Sequence, residues 1–206
     1  MAFETERLRA RPLSERDASL YCDLYSDAWT MRYIGPPLAR ETARRSFRRA
    51  LALQRKRPIE WLFVVYEERT EGSAVGFSSI PRFGRRAKRL EVGIMLRESA
   101  RGQGYAREAL AGLARHLFAI MPVDQLYMAC SPDNAAMRKL AAALGFTAEE
   151  KFDSKVEACI GWTLDRFAGR PPGSAAAASS PPTRKRSSMA KPVEDRPHGA
   201  ARQGTR

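Results

Sequence analysis

Apolar and polar positions along the first 166 residues change period several times, and each change marks an element. Positions 6–11 read as a short strand. Ser14-Glu15-Arg16-Asp17 then has the form of a capping box, with Leu20, Tyr21, Leu24 and Tyr25 supplying one helical face. A second helix spans positions 41–56, where Ala43, Phe47, Ala50 and Leu51 share a face, the opposite face carries arginines, and Pro58 stops the run. Three strands should follow, at 60–67, 73–80 and 89–96, with Glu71-Gly72 turning between the first two and the stretch 82–88 making the next connection. A third helix beginning near Gly104 buries Ala106, Ala109, Leu110, Leu113, Leu117 and Phe118, then feeds a strand at 125–130. A helix between neighbouring strands implies a parallel crossover. Ser131-Pro132 next provides a cap and a first-turn proline for a helix carrying Met137, Leu140 and Leu144 and ending at Gly145, and positions 157–164 supply a last strand.

Composition changes the picture at the C-terminus. The last 38 residues are rich in Pro, Ala, Ser and Gly and nearly free of large apolar side chains, so they cannot bury enough surface to offset ordering entropy. This divides the chain into a folded domain over 1–168 and a disordered basic tail over 169–206. The tail carries eight Lys or Arg against two acids, a surplus of six out of the net +13, which leaves +7 for the domain. Such charge favours anionic surroundings. The composition favours a solvated tail, whose contact with nucleic acid would be weak and nonspecific, over a dedicated docking arm. No apolar run is long enough to span a membrane, and the N-terminus lacks the pattern of a signal peptide, so the expected compartment is the cytoplasm. Cys22, Cys130 and Cys159 are odd in number and widely spaced, suggesting neither a disulfide framework nor a zinc site, and no metal is expected.

The strongest chemical signal is Arg101-Gly102-Gln103-Gly104-Tyr105-Ala106, between an apolar strand and an amphipathic helix. Glycines at a helix start let several unpaired N–H groups face one anion, helped by the helix dipole. Arg101 and Arg107 add positive charge, and a pyrophosphate is a suitable guest. The spacing matches neither a P-loop nor a dinucleotide fingerprint.

This turn fits the Q/R-x-x-G-x-G/A signature, and the chain resembles the GNAT superfamily of acetyltransferases. Within it the sequence is similar to the branch of ribosomal-protein N-terminal acetyltransferases. The segments that carry the likeness are positions 4–13, Met31-Arg32-Tyr33-Ile34-Gly35, Glu91-Val92-Gly93, positions 104–109, and Asn134 followed eleven positions later by Gly145-Phe146. The resemblance implies an α/β GNAT fold, with a central mixed, mostly antiparallel sheet flanked by about four helices, and acetyl-CoA as cosubstrate. It also implies that the backbone of Ile94, Met95 and Leu96 pairs with the pantetheine arm where two strands splay apart. Arg101, Gly102, Gln103, Gly104, Tyr105 and Ala106 would hold the pyrophosphate, and Asn134 would bond the pantetheine from the other side. An Asn in that place can equally cap its own helix.

Attack of a neutral amine on a thioester asks for a base and an oxyanion donor. Glu91 matches the family's base, acting through a water; the alternative is a strand carboxylate paired with Arg89 or another nearby arginine. The family's tyrosine acid falls at Ala141, and the serine common in this branch falls at Met137. Trp29, Met31, Arg32 and Tyr33 match the segment bordering the acceptor, although an aromatic-rich turn also serves packing. The basic stretch Arg82, Arg85, Arg86, Lys88 and Arg89, if it faces the acceptor, disfavours a polycation and favours a peptide on an RNA-rich particle or an anionic metabolite. The expected reaction is acetylation of a primary amine, foremost a protein α-amine on a ribosome-like particle, by a monomer or homodimer. The rivals are a small amine or antibiotic as acceptor, and an acyl-CoA-binding or nucleic-acid-binding module without catalysis.

Overall fold

The structure is a computed structural model that describes residues 2–56, 61–81, 88–149 and 159–166. The first strands are β1 (Phe3–Glu4) and β2 (Leu8–Pro12). Ser14 then does what its spacing predicts: its N–H and hydroxyl each donate to the Asp17 carboxylate at 2.8 Å, closing a 3-10 turn that leads into α1 (Ala18–Ser26). Asp17 also receives the Arg11 guanidinium at 2.6 Å, and Arg11 reaches Glu67 at 2.7 Å. A short helix α2 (Ala28–Met31), which the periodicity did not reveal, precedes α3 (Arg40–Lys56). Four residues are too few for a 3.6-residue period to show.

Strands β3 (Trp61–Glu68), β4 (Ala74–Pro81), β5 (Arg89–Glu91) and β6 (Gly93–Leu96) follow, then α4 (Tyr105–Ile120), β7 (Gln125–Cys130), α5 (Ala135–Ala143), β8 (Thr147–Glu149) and β9 (Ile160–Asp165). The described residues thus hold five α-helices, one more than the periodicity suggested. Two sheets form. One has the order β1-β2-β3-β4-β6 and is antiparallel throughout. The other has the order β5-β7-β9-β8, with only the β5–β7 pair parallel, as the α4 crossover requires.

Strand alternation sorts the core into two layers. On β3, Phe63 and Val65 join Tyr21, Phe47 and Phe77 beneath α1 and α3, whereas Val64 and Tyr66 join Leu110, Leu113 and Leu117 beneath α4. A single strand was expected over 89–96. Its side-chain alternation does continue, since Leu90 and Val92 lie in the α4 layer and Ile94 and Leu96 pack against it. The hydrogen-bonding partner changes at Val92, however: β5 belongs to one sheet and β6 to the other. The expected connection at 82–87, the Pro58 stop and the start of the last strand at 157–158 lie outside the described residues, as does the tail.

Candidate active site

The partner exchange at Val92 creates a gap. Glu91 sits opposite Tyr127 in the parallel pair, and the Val92 N–H donates to the Tyr127 carbonyl at 2.9 Å. Beyond that bond β6 pairs only with β4 and β7 only with β9. The Arg97 N–H donates to the Val75 carbonyl at 2.9 Å. Antiparallel alternation from that bond turns the peptide groups of Met95 and Gly93 towards β4 and leaves those of Ile94 and Leu96 facing the gap. Of the three residues expected to meet a pantetheine arm, Ile94 and Leu96 therefore offer backbone and Met95 offers its side chain. A cavity of about 340 Å³ fills the gap, with Ala129 and Cys130 on its far wall. Cys130 is buried, and burial raises its thiol pKa, yet it also lines the cavity.

At one end of the cavity lies the glycine turn. Gly102 and Gly104 have φ of +74° and +81°, a region where an L side chain is strained. The Glu108 N–H bonds the Gly104 carbonyl at 3.1 Å, so the preceding amides of Tyr105, Ala106 and Arg107 belong to the unpaired first turn of α4. Gly102, Gly104, Tyr105 and Ala106 line the cavity, with Arg101 and Arg107 beside them. Gln103 is not among the lining residues; its amide donates to the Ser99 carbonyl at 2.5 Å and holds the turn from behind. Tyr105 is buried and its hydroxyl donates to Glu68.

The turn is braced by residues whose role the sequence reading did not assign. Glu108 accepts from the Thr5 hydroxyl and the Arg7 N–H, each at 2.6 Å, and from Arg7 Nε at 2.7 Å. Arg7 Nη1 reaches the Gln103 carbonyl at 3.0 Å, and its guanidinium lies 4.5 Å from the Tyr105 ring centroid. Burial opposes ionisation of Glu108, but these bonds outweigh it and hold the carboxyl below its usual value. Both partners fall inside the segments that carried the family likeness, which was the available signal.

Asn134 caps its own helix and also faces the cavity. Its Oδ1 accepts the Met137 N–H at 3.0 Å, capping α5, while the residue lines the cavity. Since an amide has separate acceptor and donor ends, the cap leaves Nδ2 for the cavity. Ala141 is fully buried, so no acid acts from that place.

Glu91 is 3% exposed. Burial raises its carboxyl pKa to about 7, against a smaller lowering by the Tyr127 hydroxyl, which donates to Oε2 at 3.1 Å. Oε1 has no hydrogen-bond partner among the described residues. Arg89, the expected ion-pair partner, turns instead to Glu149 at 2.5 Å and lies over the Tyr127 ring at 4.6 Å. Glu91 thus has no cationic partner among the described residues where the strands part, although it does not itself line the cavity.

Trp29, Arg32 and Tyr33 line the other side of the cavity. Met31 does not: it is 1% exposed and packs in the α1–α3 layer, the packing role rather than an acceptor contact. Among the described residues no group of three His, Cys, Asp or Glu is placed to hold a metal ion, and no helix is long and apolar enough to cross a membrane.

A gap between splayed strands, with an anion-ready helix start at one end and a buried carboxylate at its vertex, suits an acyltransferase that works on a coenzyme A thioester. A model of the acetyltransferase (GNAT) domain matches residues 7–147, and the chain belongs to that family. No curated protein matches the sequence. Among solved structures, an acetyltransferase from Agrobacterium tumefaciens superposes with a TM-score of 0.68 at 23% identity, covering 80% of this chain and 94% of that one. A RimL ribosomal L7/L12 alpha-N-protein acetyltransferase in complex with coenzyme A gives 0.67 at 18% identity, covering 80% and 98%. A spermidine N-acetyltransferase from Vibrio cholerae in complex with coenzyme A and spermine gives 0.65 at 18% identity, covering 79% and 97%. At these identities the likeness shows the shared GNAT fold.

Proposed function

We propose that this acetyltransferase moves the acetyl group of acetyl-CoA onto the α-amine at a protein N-terminus. The observation that carries the reading is Glu91, a buried carboxylate with one unpartnered oxygen at the vertex of the gap. The cosubstrate fits the residues present. The open peptide edge of Ile94 and Leu96 and the Nδ2 of Asn134 offer the alternating donors and acceptors that an amide-containing pantetheine arm needs, and the unpaired amides of the glycine turn suit a pyrophosphate. Acetyl-CoA supplies the activated acyl carbon and a thiolate that leaves readily near neutral pH.

The chain's own residues then have two tasks. A peptide N–H on the open edge of β6 steadies charge on the thioester oxygen. Glu91, through a water bonded to Oε1, takes the proton that the acceptor ammonium must lose. A protein α-ammonium has a pKa of about 7.7–8.0, close to the value of about 7 that burial gives Glu91, whereas a lysine or polyamine ammonium near 10.4 lies far from it. The match favours an α-amine. The cavity lining also includes Arg32, Arg101 and Arg107 and no carboxylate among the described residues, which disfavours a polyamine.

Calorimetric titration with acetyl-CoA, followed by thiol release on addition of free and N-blocked peptides, lysine-only peptides and spermidine, tests the reading. Binding of acetyl-CoA and turnover only with free N-termini is expected. Turnover confined to spermidine or lysine side chains overturns the α-amine assignment, and absence of binding overturns the cosubstrate site.

A further inference from the structure

Trp29 is one of the two large apolar side chains most exposed among the described residues, at 53%, and its surroundings explain why an indole stands there. The Arg32 guanidinium carbon lies 3.4 Å from its ring centroid and that of Arg101 lies 3.8 Å away. Two guanidinium groups thus lie within 4 Å of the centre of one ring. Its effect is to fix two cations at the wall of the cavity.

The two cations differ in their partners. Arg101 is neutralised and tied down, with Nη2 bonded to the Thr30 hydroxyl at 2.7 Å and facing Asp27 at 3.5 Å, and Nε donating to the Leu96 carbonyl at 3.3 Å. Arg32 donates only to the Trp29 carbonyl, at 2.5 Å, and its charge faces no carboxylate among the described residues. A second ring, that of Tyr33, lies 4.6 Å from its guanidinium carbon. Arg32 is thus held in place by two aromatic rings with most of its donors free, an arrangement suited to a carboxylate. It lines the cavity beside Trp29, Tyr33 and Ile34, whereas the amides of the glycine turn and Arg107 supply the anion site. Ile34, two residues on, lines both the main cavity and a small recess formed with Ser79, Gly93 and Met95. Met95 and Gly93 alternate with Glu91 on one face of the strand, so this recess lies on the side from which Glu91 acts.

We infer that Arg32, held by Trp29 and Tyr33, reads a carboxylate on the acceptor, and that the enzyme selects N-termini with an acidic residue among their first few positions. The inference rests on the α-amine reading and narrows it to a class of peptide. It makes Arg32 a specificity residue that leaves the reacting atoms untouched.

The test compares kcat/KM for three peptides of equal length beginning with serine, carrying acidic, neutral or basic residues at positions two to four, in wild type, Arg32→Gln and Arg32→Glu. Arg32 is exposed, so both variants should fold. Wild type should favour the acidic peptide over the neutral one by roughly tenfold, through KM, with the preference shrinking as salt is added. Arg32→Gln should lose that preference, its kcat/KM for the acidic peptide falling to that for the neutral one, and Arg32→Glu should favour the basic peptide. An unchanged preference in Arg32→Gln overturns the inference. So does an effect of the substitution on affinity for acetyl-CoA that vanishes with the 3′-dephospho analogue, which would assign Arg32 to the cosubstrate. Turnover of all peptides without regard to charge removes this inference alone, whereas no turnover with any peptide removes the α-amine reading with it.

Discussion

Replacing Glu91 by Gln separates what burial does to this carboxyl from what the carboxyl does for the reaction. In the unfolded chain its pKa is 4.5, and in the fold burial raises it to about 7. A carboxyl raised in this way contributes stability that is fully present below pH 4.5 and is lost as pH climbs through about 7. The full shift corresponds to about 3 kcal/mol at alkaline pH, of which about 2 kcal/mol develops between pH 5 and pH 8. Glutamine keeps the shape and can still accept from Tyr127, but it never has to ionise. Glu91→Gln should therefore gain on wild type between pH 5 and pH 8, by roughly 5 °C or more in Tm for a chain of this length. Over the same range wild-type kcat/KM should rise through a pKa near 7, and the variant should lose that limb and at least about a hundredfold in rate. Because Glu91 does not line the cavity, acetyl-CoA affinity should be unchanged. Thermal melts at the two pH values and a pH–rate profile decide the matter. A stability difference that is the same at both pH values refutes the burial argument, and an unaltered pH–rate profile refutes the role as base.

Other substitutions test the scaffold around the gap. A Cβ on Gly76 would lie 2.2 Å from the Met95 carbonyl oxygen, so Gly76→Ala should force β4 and β6 apart and abolish acetyl-CoA binding even where circular dichroism shows helices retained. Glu108→Ala should free Thr5 and Arg7 from the glycine turn and weaken acetyl-CoA binding by roughly tenfold in a titration while sparing kcat at saturation, since the loss falls on ordering the anion site. Asp17 is desolvated, but the Arg11 guanidinium and Ser14 outweigh that cost and hold its pKa below normal. Its contribution is therefore present above pH about 4 and lost as acid protonates it, and Asp17→Ala should destabilise the fold by about 2 kcal/mol in urea titrations at pH 7 by removing one of the two carboxylates on Arg11 and the partner of the Ser14 N–H.

The helices α1, α3, α4 and α5 and the strands β2, β3, β4, β7 and β9 were legible because each buries one face against the core, and burial of one face imposes a period that local sequence displays. The glycine turn was legible for a related reason: Gly102 and Gly104 occupy backbone conformations that few other residues adopt. The site itself was less visible. A period records which face of a strand is buried and says nothing about which neighbour it bonds, so the run from Arg89 to Leu96 hid the exchange of partners at Val92 that opens the gap. Pairings between distant charges left no local trace either. Arg89, one alternative partner for Glu91, goes to Glu149, and burial raises the pKa of Glu91. The brace from Arg7 to Glu108 and the two guanidiniums against Trp29 likewise join residues 101 and 72 positions apart in their longest links. Chain geometry within a few residues decided the elements. Which edges and charges met across the folded chain was decided only when the layers packed, because hydrogen bonding and electrostatics act through space rather than along the sequence.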